Sequence, residues 1–115
     1  MIYRDHTYPE KINVAMRGGD GQVRVESLLT KEEMYEKGRL FGRLTLEPGC
    51  SIGKHEHNGE METFYIVSGR GIFLDNGVER EVSAGDVCYT ASGEFHSIRN
   101  TGDETMVLIA LILYK

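Results

Sequence analysis

The chain has 115 residues and a net charge of −5, with charges of both signs scattered and no basic block. That length suits one domain with a real core, and that charge pattern carries no electrostatic footprint for nucleic acid. The two cysteines, Cys50 and Cys88, are too few for a disulfide framework and read as free thiols of an intracellular, cytoplasmic chain. The N-terminus lacks an apolar signal core, and the longest apolar run, 106–114, is too short to cross a bilayer as a helix, so no membrane association is expected.

Taken in order, the elements read as all-β. Glycine is abundant (14) and proline rare (2), and short apolar runs alternate with turn signals. Residues 1–22 read as an N-terminal arm or an added edge strand, with Arg17-Gly18-Gly19-Asp20-Gly21 as a loop. Residues 23–115 read as a single barrel domain. The segment 22–28 alternates polar and apolar residues, as a strand with one solvated face should. Thr30-Lys31-Glu32-Glu33 has the form of a capping box and predicts one or two helical turns to about residue 37. Further strands are predicted over 39–47, 62–68, 71–74, 78–82, 87–90, 95–100 and 105–114. Asn76-Gly77, between apolar segments, is a strong hairpin signal. Eight or nine short strands joined by tight turns indicate a sandwich or closed barrel.

The final strand is apolar at odd and even positions alike, whereas a strand solvated on one side alternates. Both of its faces are therefore expected to be covered, one by the interior and the other by a partner subunit or the N-terminal arm. A homodimer is the predicted assembly.

The chemistry concentrates in Gly49-Cys50-Ser51-Ile52-Gly53-Lys54-His55-Glu56-His57-Asn58-Gly59-Glu60-Met61-Glu62 and in His96. His55 and His57, one residue apart, share a face of a strand. Glu62 follows beyond a glycine-containing turn, and His96 lies about forty residues on. Three neutral nitrogens and one anionic oxygen suit a divalent transition metal.

The spacing is also that of a known family. Gly49, His55, His57, Glu62 and Gly69 stand at the defining positions of the first cupin motif, and Gly85, Gly93, His96 and Asn100 at those of the second. The departure is Ala91, where the family usually has proline; that loss is expected to cost rigidity and leave the metal chemistry intact. The chain thus resembles a small single-domain cupin, and at its ligand positions the oxalate decarboxylase-like members. The resemblance implies a jelly-roll-like double-stranded β-helix barrel with His55, His57, Glu62 and His96 as metal ligands facing the lumen.

Those four ligands leave adjacent positions on an octahedral ion for a small chelating anion. Mn, Fe, Co and Ni suit the donors, with Zn and Cu also possible. Phe64, Ile66 and Ile98 are expected to form an apolar floor. Arg43 could clamp a substrate carboxylate if its face of the strand turned inward, although the leucine face reads as the inner one. Tyr65 and Tyr89 are the other polar candidates near the site, while Glu56, Glu60 and His6 read as solvated. The favoured function is a metal-dependent decarboxylase, dioxygenase, isomerase or lyase acting on a small oxyanion. The alternative is a non-catalytic cupin that binds a metal and a small ligand.

Overall fold

The computed structural model describes residues 1–115. Ten strands and one short 3₁₀ turn account for its regular structure: β1 (Glu10–Val14), β2 (Gln22–Ser27), β3 (Gly38–Leu46), β4 (Ser51–Glu56), β5 (Glu60–Ser68), β6 (Arg70–Asp75), β7 (Val78–Ser83), β8 (Val87–Thr90), β9 (Phe95–Asn100) and β10 (Met106–Tyr114), with the turn at Met16–Gly18. No helix is long and apolar enough to cross a membrane.

The strands form two antiparallel sheets, one in the order β1-β2-β3-β10-β5-β8 and the other β4-β9-β6-β7. Period-two alternation decides which residues enter the space between them. Leu44 and Leu46 of β3, Phe64 and Ile66 of β5, and Leu108 and Ala110 of β10 meet Ile52, Phe73 and Ile98 of the smaller sheet in one buried cluster. Asn76 and Gly77 both have positive φ (49° and 92°), the backbone of the tight turn joining β6 to β7.

The first strand lies within the N-terminal arm, where it extends the larger sheet as an edge paired with β2. The expected helical turns after Thr30 do not form. The capping box itself does: the Thr30 N–H donates to Glu33 Oε1 (2.9 Å) and the Glu33 N–H to Thr30 Oγ1 (3.1 Å). A single turn follows, and the left-handed backbone of Tyr35 and Glu36 (φ 54° and 58°) then ends it just before β3. The box fixes a first turn, but Tyr35 is exposed and gives no apolar face on which a second could pack.

Strand β10 runs between β3 and β5. Met106, Leu108, Ala110 and Ile112 are buried, whereas Val107, Ile109, Leu111 and Leu113 are half-buried on the outer face. The arm is anchored on β3, where Asp5 pairs with Arg43 (2.6 Å) and the Tyr8 ring lies 5.8 Å from that guanidinium.

Candidate metal centre

His55 and His96 sit directly opposite one another in the β4–β9 pair, next to a register shift in β4. His57 follows the end of β4, and Glu62 comes across from β5 of the other sheet. The Nε2 atoms of His55, His57 and His96 are each 3.1 Å from the other two. Glu62 Oε1 is 3.0 Å from His57 Nε2 and from His96 Nε2, and 4.0 Å from His55 Nε2. The four residues form a cluster able to hold a metal ion.

The other ring nitrogens explain why these atoms converge. His55 Nδ1–H donates to Gly53 O (2.7 Å), and His57 Nδ1–H donates to Glu60 Oε1 (3.0 Å). His96 Nδ1 lies 2.7 Å from Thr90 Oγ1. Such contacts fix both tautomer and ring orientation and turn Nε2 lone pairs toward the centre. Lone pairs this close repel one another, and a cation among them removes the repulsion. The donors therefore fit a divalent transition metal, with nitrogen and oxygen ligands of the right type.

The charge distribution agrees. Burial lowers the His55 pKa, favouring the neutral ring that a metal needs. The Glu62 carboxylate beside it raises that of His57. Burial pushes the Glu62 carboxyl up, but the His57 and His96 rings beside it outweigh that and hold the group below its ordinary value. Glu60 is held down to about 2, chiefly by Arg39, whose Nε and Nη2 donate to its two oxygens (2.7 and 2.8 Å).

Apolar side chains enclose the cluster. Phe64 stacks on His96 with centroids 5.1 Å apart, and Phe73 meets the same ring edge-on at 5.7 Å. Ile66 and Ile98 are buried, as the alternation predicts. Beside the cluster lies a cavity of about 60 Å³, lined by Met16, Val25, Leu40, Leu44, Ile52 and Ile112 together with Arg17, Arg39, His55, His57 and Glu62. A much larger concavity of about 920 Å³ lies between the N-terminal arm and the turn after β2, away from all four donors.

Several expected placements change. Arg43 is on the outer face of β3, opposite Glu26, and donates to its two oxygens at 3.0 and 2.8 Å; the inner face belongs to Leu44 and Leu46. Tyr65 and Tyr89 also point outward, 49% and 58% exposed, because their neighbours Phe64, Ile66, Cys88 and Thr90 are buried. Glu60 is not solvated: it is half-buried and holds His57. Its position two residues before Glu62 puts it on the same strand face, a signal the alternation carries. Thr90 has the same kind of signal, lying opposite Glu62 in the β5–β8 register. Glu56 and His6 are exposed as expected. Burial pushes the Cys88 thiol up to about 11, which makes it a packed, unreactive group.

At the position where proline was expected, the Ala91 N–H donates to Glu94 Oε1 (2.8 Å), a bond that proline could not make. The same turn exchanges two backbone hydrogen bonds with His57, Gly93 N–H to His57 O and His57 N–H to Glu94 O. It thereby helps to hold that histidine.

The sequence matches the family described as "Cupin domain" over residues 42–112. The chain belongs to the cupin family. This cupin is 51% identical over 105 residues to the oxalate-binding protein of Thermotoga maritima, covering 91% of the chain and 86% of that protein. A crystal structure from the same organism, described as a predicted oxalate decarboxylase, superposes with a TM-score of 0.97 at 46% identity over the full length of both chains. A sugar phosphate isomerase from a cupin superfamily of Silicibacter pomeroyi gives a TM-score of 0.80 at 17% identity, covering 100% of this chain and 76% of that one, a likeness of fold alone.

Proposed function

We propose that this cupin ligates a divalent transition metal through His55, His57, Glu62 and His96 and holds on it a small dicarboxylate of oxalate's class. The observation that carries this reading is the convergence of three Nε2 atoms at 3.1 Å beside the Glu62 carboxylate, within an apolar enclosure. Mn, Fe, Co, Ni, Zn and Cu are all accepted by such donors. Bound there, the ion supplies a Lewis-acid centre whose remaining positions accept small oxyanions.

The size and chemistry of the cavity narrow the ligand. The cavity, about 60 Å³, is far below the ~300–1,000 Å³ of pockets for drug-sized ligands. That size favours an anion of a few atoms over a sugar phosphate. The name of the Thermotoga relative as an oxalate-binding protein supports the same class.

The ionisable groups of the lumen favour holding the ligand over transforming it. His55, His57, His96 and Glu62 are spoken for as ligands, and Glu60 and Arg39 are committed to each other. No spare acid or base faces the open side of the cluster, which catalysis of proton transfer requires. A metal-dependent decarboxylase is the second reading, favoured by the structural relative described as a predicted oxalate decarboxylase. Two free thiols suit a reducing, cytoplasmic setting. The half-exposed apolar row of β10 suits a homodimer through the outer face of the larger sheet.

The test is elemental analysis of untagged protein prepared without chelator, followed by calorimetric titration of the metal-loaded protein with oxalate and a formate-release assay. Near-stoichiometric metal and oxalate uptake without formate support binding. Formate release makes the chain an enzyme, and failure to take up metal on reconstitution removes both readings.

A further inference from the structure

Two arginines line the cavity beside the cluster, and they are not equivalent. Arg39 has its charge matched by the bidentate contact with Glu60. Arg17 takes no part in the ion pairs that engage Arg24, Arg39, Arg43, Arg80 and Arg99. Arg17 therefore lines a small cavity beside His55, His57 and Glu62 with no carboxylate of the chain matching its charge.

The backbone beneath Arg17 is closely fixed. Arg17 has a left-handed conformation (φ 53°, ψ 30°), costly for a residue with a side chain and a place where glycine is the ordinary choice. Its turn lies directly against β4, the strand that carries His55. A Cβ on Gly53 would stand 2.2 Å from Arg17 O, and one on Gly19 would stand 2.3 Å from Ser51 O, so glycine is required on both sides of the contact. The Asp20 N–H donates to Ser51 Oγ (2.8 Å) and the Ser51 N–H to Asp20 O (2.9 Å), fastening the turn to the strand. The Arg17 side chain is exposed, so packing does not explain why an arginine occupies a strained position there. Strain kept at such a position is a pointer to function.

Charge balance says what that function is. A divalent ion with one carboxylate ligand carries about +1, so a bound dianion leaves the site at −1. An unpaired negative charge in an apolar enclosure is costly unless a cation faces it. A flat dianion of oxalate's kind that chelates through two oxygens turns its other two outward, and a guanidinium fork matches that pair.

The geometry points to Arg17 as the clamp for the outward-facing oxygens of a small dicarboxylate held at His55, His57, Glu62 and His96. This assignment rests on the metal-and-dicarboxylate reading above. It makes Arg17 the residue that selects dianions over monoanions, since formate already neutralises the site without help.

The experiment compares wild type with Arg17→Gly, which suits the left-handed backbone, and with Arg17→Lys, which keeps the charge but loses the fork. Metal content and thermal midpoint are measured first, then affinities of the metal-loaded proteins for oxalate and for formate by calorimetry. The expected result for Arg17→Gly is unchanged metal content and an oxalate affinity lower by about 10- to 100-fold, the range for hydrogen bonds to charged groups. Formate affinity stays within about threefold, and Arg17→Lys falls between Arg17→Gly and wild type on oxalate. Unchanged oxalate affinity in Arg17→Gly overturns the assignment, as does an equal loss for both anions. Loss of metal in that variant also overturns it, because the residue then acts through the turn and β4. A wild type that holds metal but takes no oxalate removes the underlying reading instead, and the clamp falls with it.

Discussion

His57 Nδ1 and Glu60 Oε1 lie 3.0 Å apart, and Glu60 is itself gripped by Arg39 through two hydrogen bonds. The ring of one cluster histidine is thus aimed from outside by an anchored carboxylate. Partners of this kind typically account for 10–100-fold in metal affinity. Glu60→Ala is therefore expected to weaken metal binding by about 10- to 100-fold while all four donors remain. A chelator competition on wild type and variant measures this. Equal affinities would mean that packing against the barrel wall alone orients His57.

The donors themselves should behave as a set. His57→Ala and His96→Ala are each expected to lose most of their metal, whereas His6→Ala, exposed beside Asp5, keeps it. Metal that binds only the folded state at about 100 times its Kd stabilises by about 2.7 kcal/mol, or about 10 °C in thermal midpoint for a domain of this size. Elemental analysis and melting with and without chelator give both numbers. Loss of metal from the His6 variant defeats the ligand assignment.

Most of this architecture is written in alternation and turn chemistry. Leu44 and Leu46, Phe64 and Ile66, and Ile98 fall inward by parity alone, and the two histidines flanking Glu56 mark the cluster in the sequence itself. What alternation does not carry is β1: its residues Glu10-Lys11-Ile12-Asn13-Val14 are almost all exposed, so the edge strand has no buried face to pattern. Helix after Thr30 fails for a different reason, because the capping bonds are local and a helix also needs tertiary packing. Glu60 was legible in principle by its parity with Glu62, but the glycine turn just before it obscures where the strand begins. The stance of Arg17 depends on backbone contact between distant glycines, Gly19 and Gly53, for which a single sequence has no periodic signal.

Acid should act on the outer face of the larger sheet. Glu26 is only 2% exposed, and its pKa is lowered chiefly by hydrogen bonds from Arg43, assisted by Arg24. A carboxylate with a depressed folded-state pKa contributes stability that is full above its unfolded value, about 4.3 for glutamate, and lost as pH falls through the folded value. Glu26→Gln is expected to cost about 2–3 kcal/mol at pH 7, the range for hydrogen bonds between charged groups. That difference shrinks steadily below about pH 4. Urea unfolding of both proteins from pH 7 to pH 3 checks it; a gap independent of pH would assign the loss to packing.

The outer face of β10 offers the sharpest test of assembly. Ile109 lies between Arg43 of β3 and Tyr65 of β5, in a half-exposed row with Val107, Leu111 and Leu113. A stable dimer needs about 800 Å² from each partner, and a sheet face carrying this row together with Tyr65, Val67 and Val87 is apolar enough to supply its centre. Ile109→Asp puts an anion at that centre, while the half-buried position leaves the new carboxylate in reach of water in the monomer. The fold should therefore survive and the dimer should not. Light scattering at micromolar concentration is expected to give about twice 12.9 kDa for wild type and 12.9 kDa for the variant, with similar thermal unfolding after dilution. A wild-type mass of 12.9 kDa excludes the stable dimer, and a dimeric Ile109→Asp moves the interface off this face.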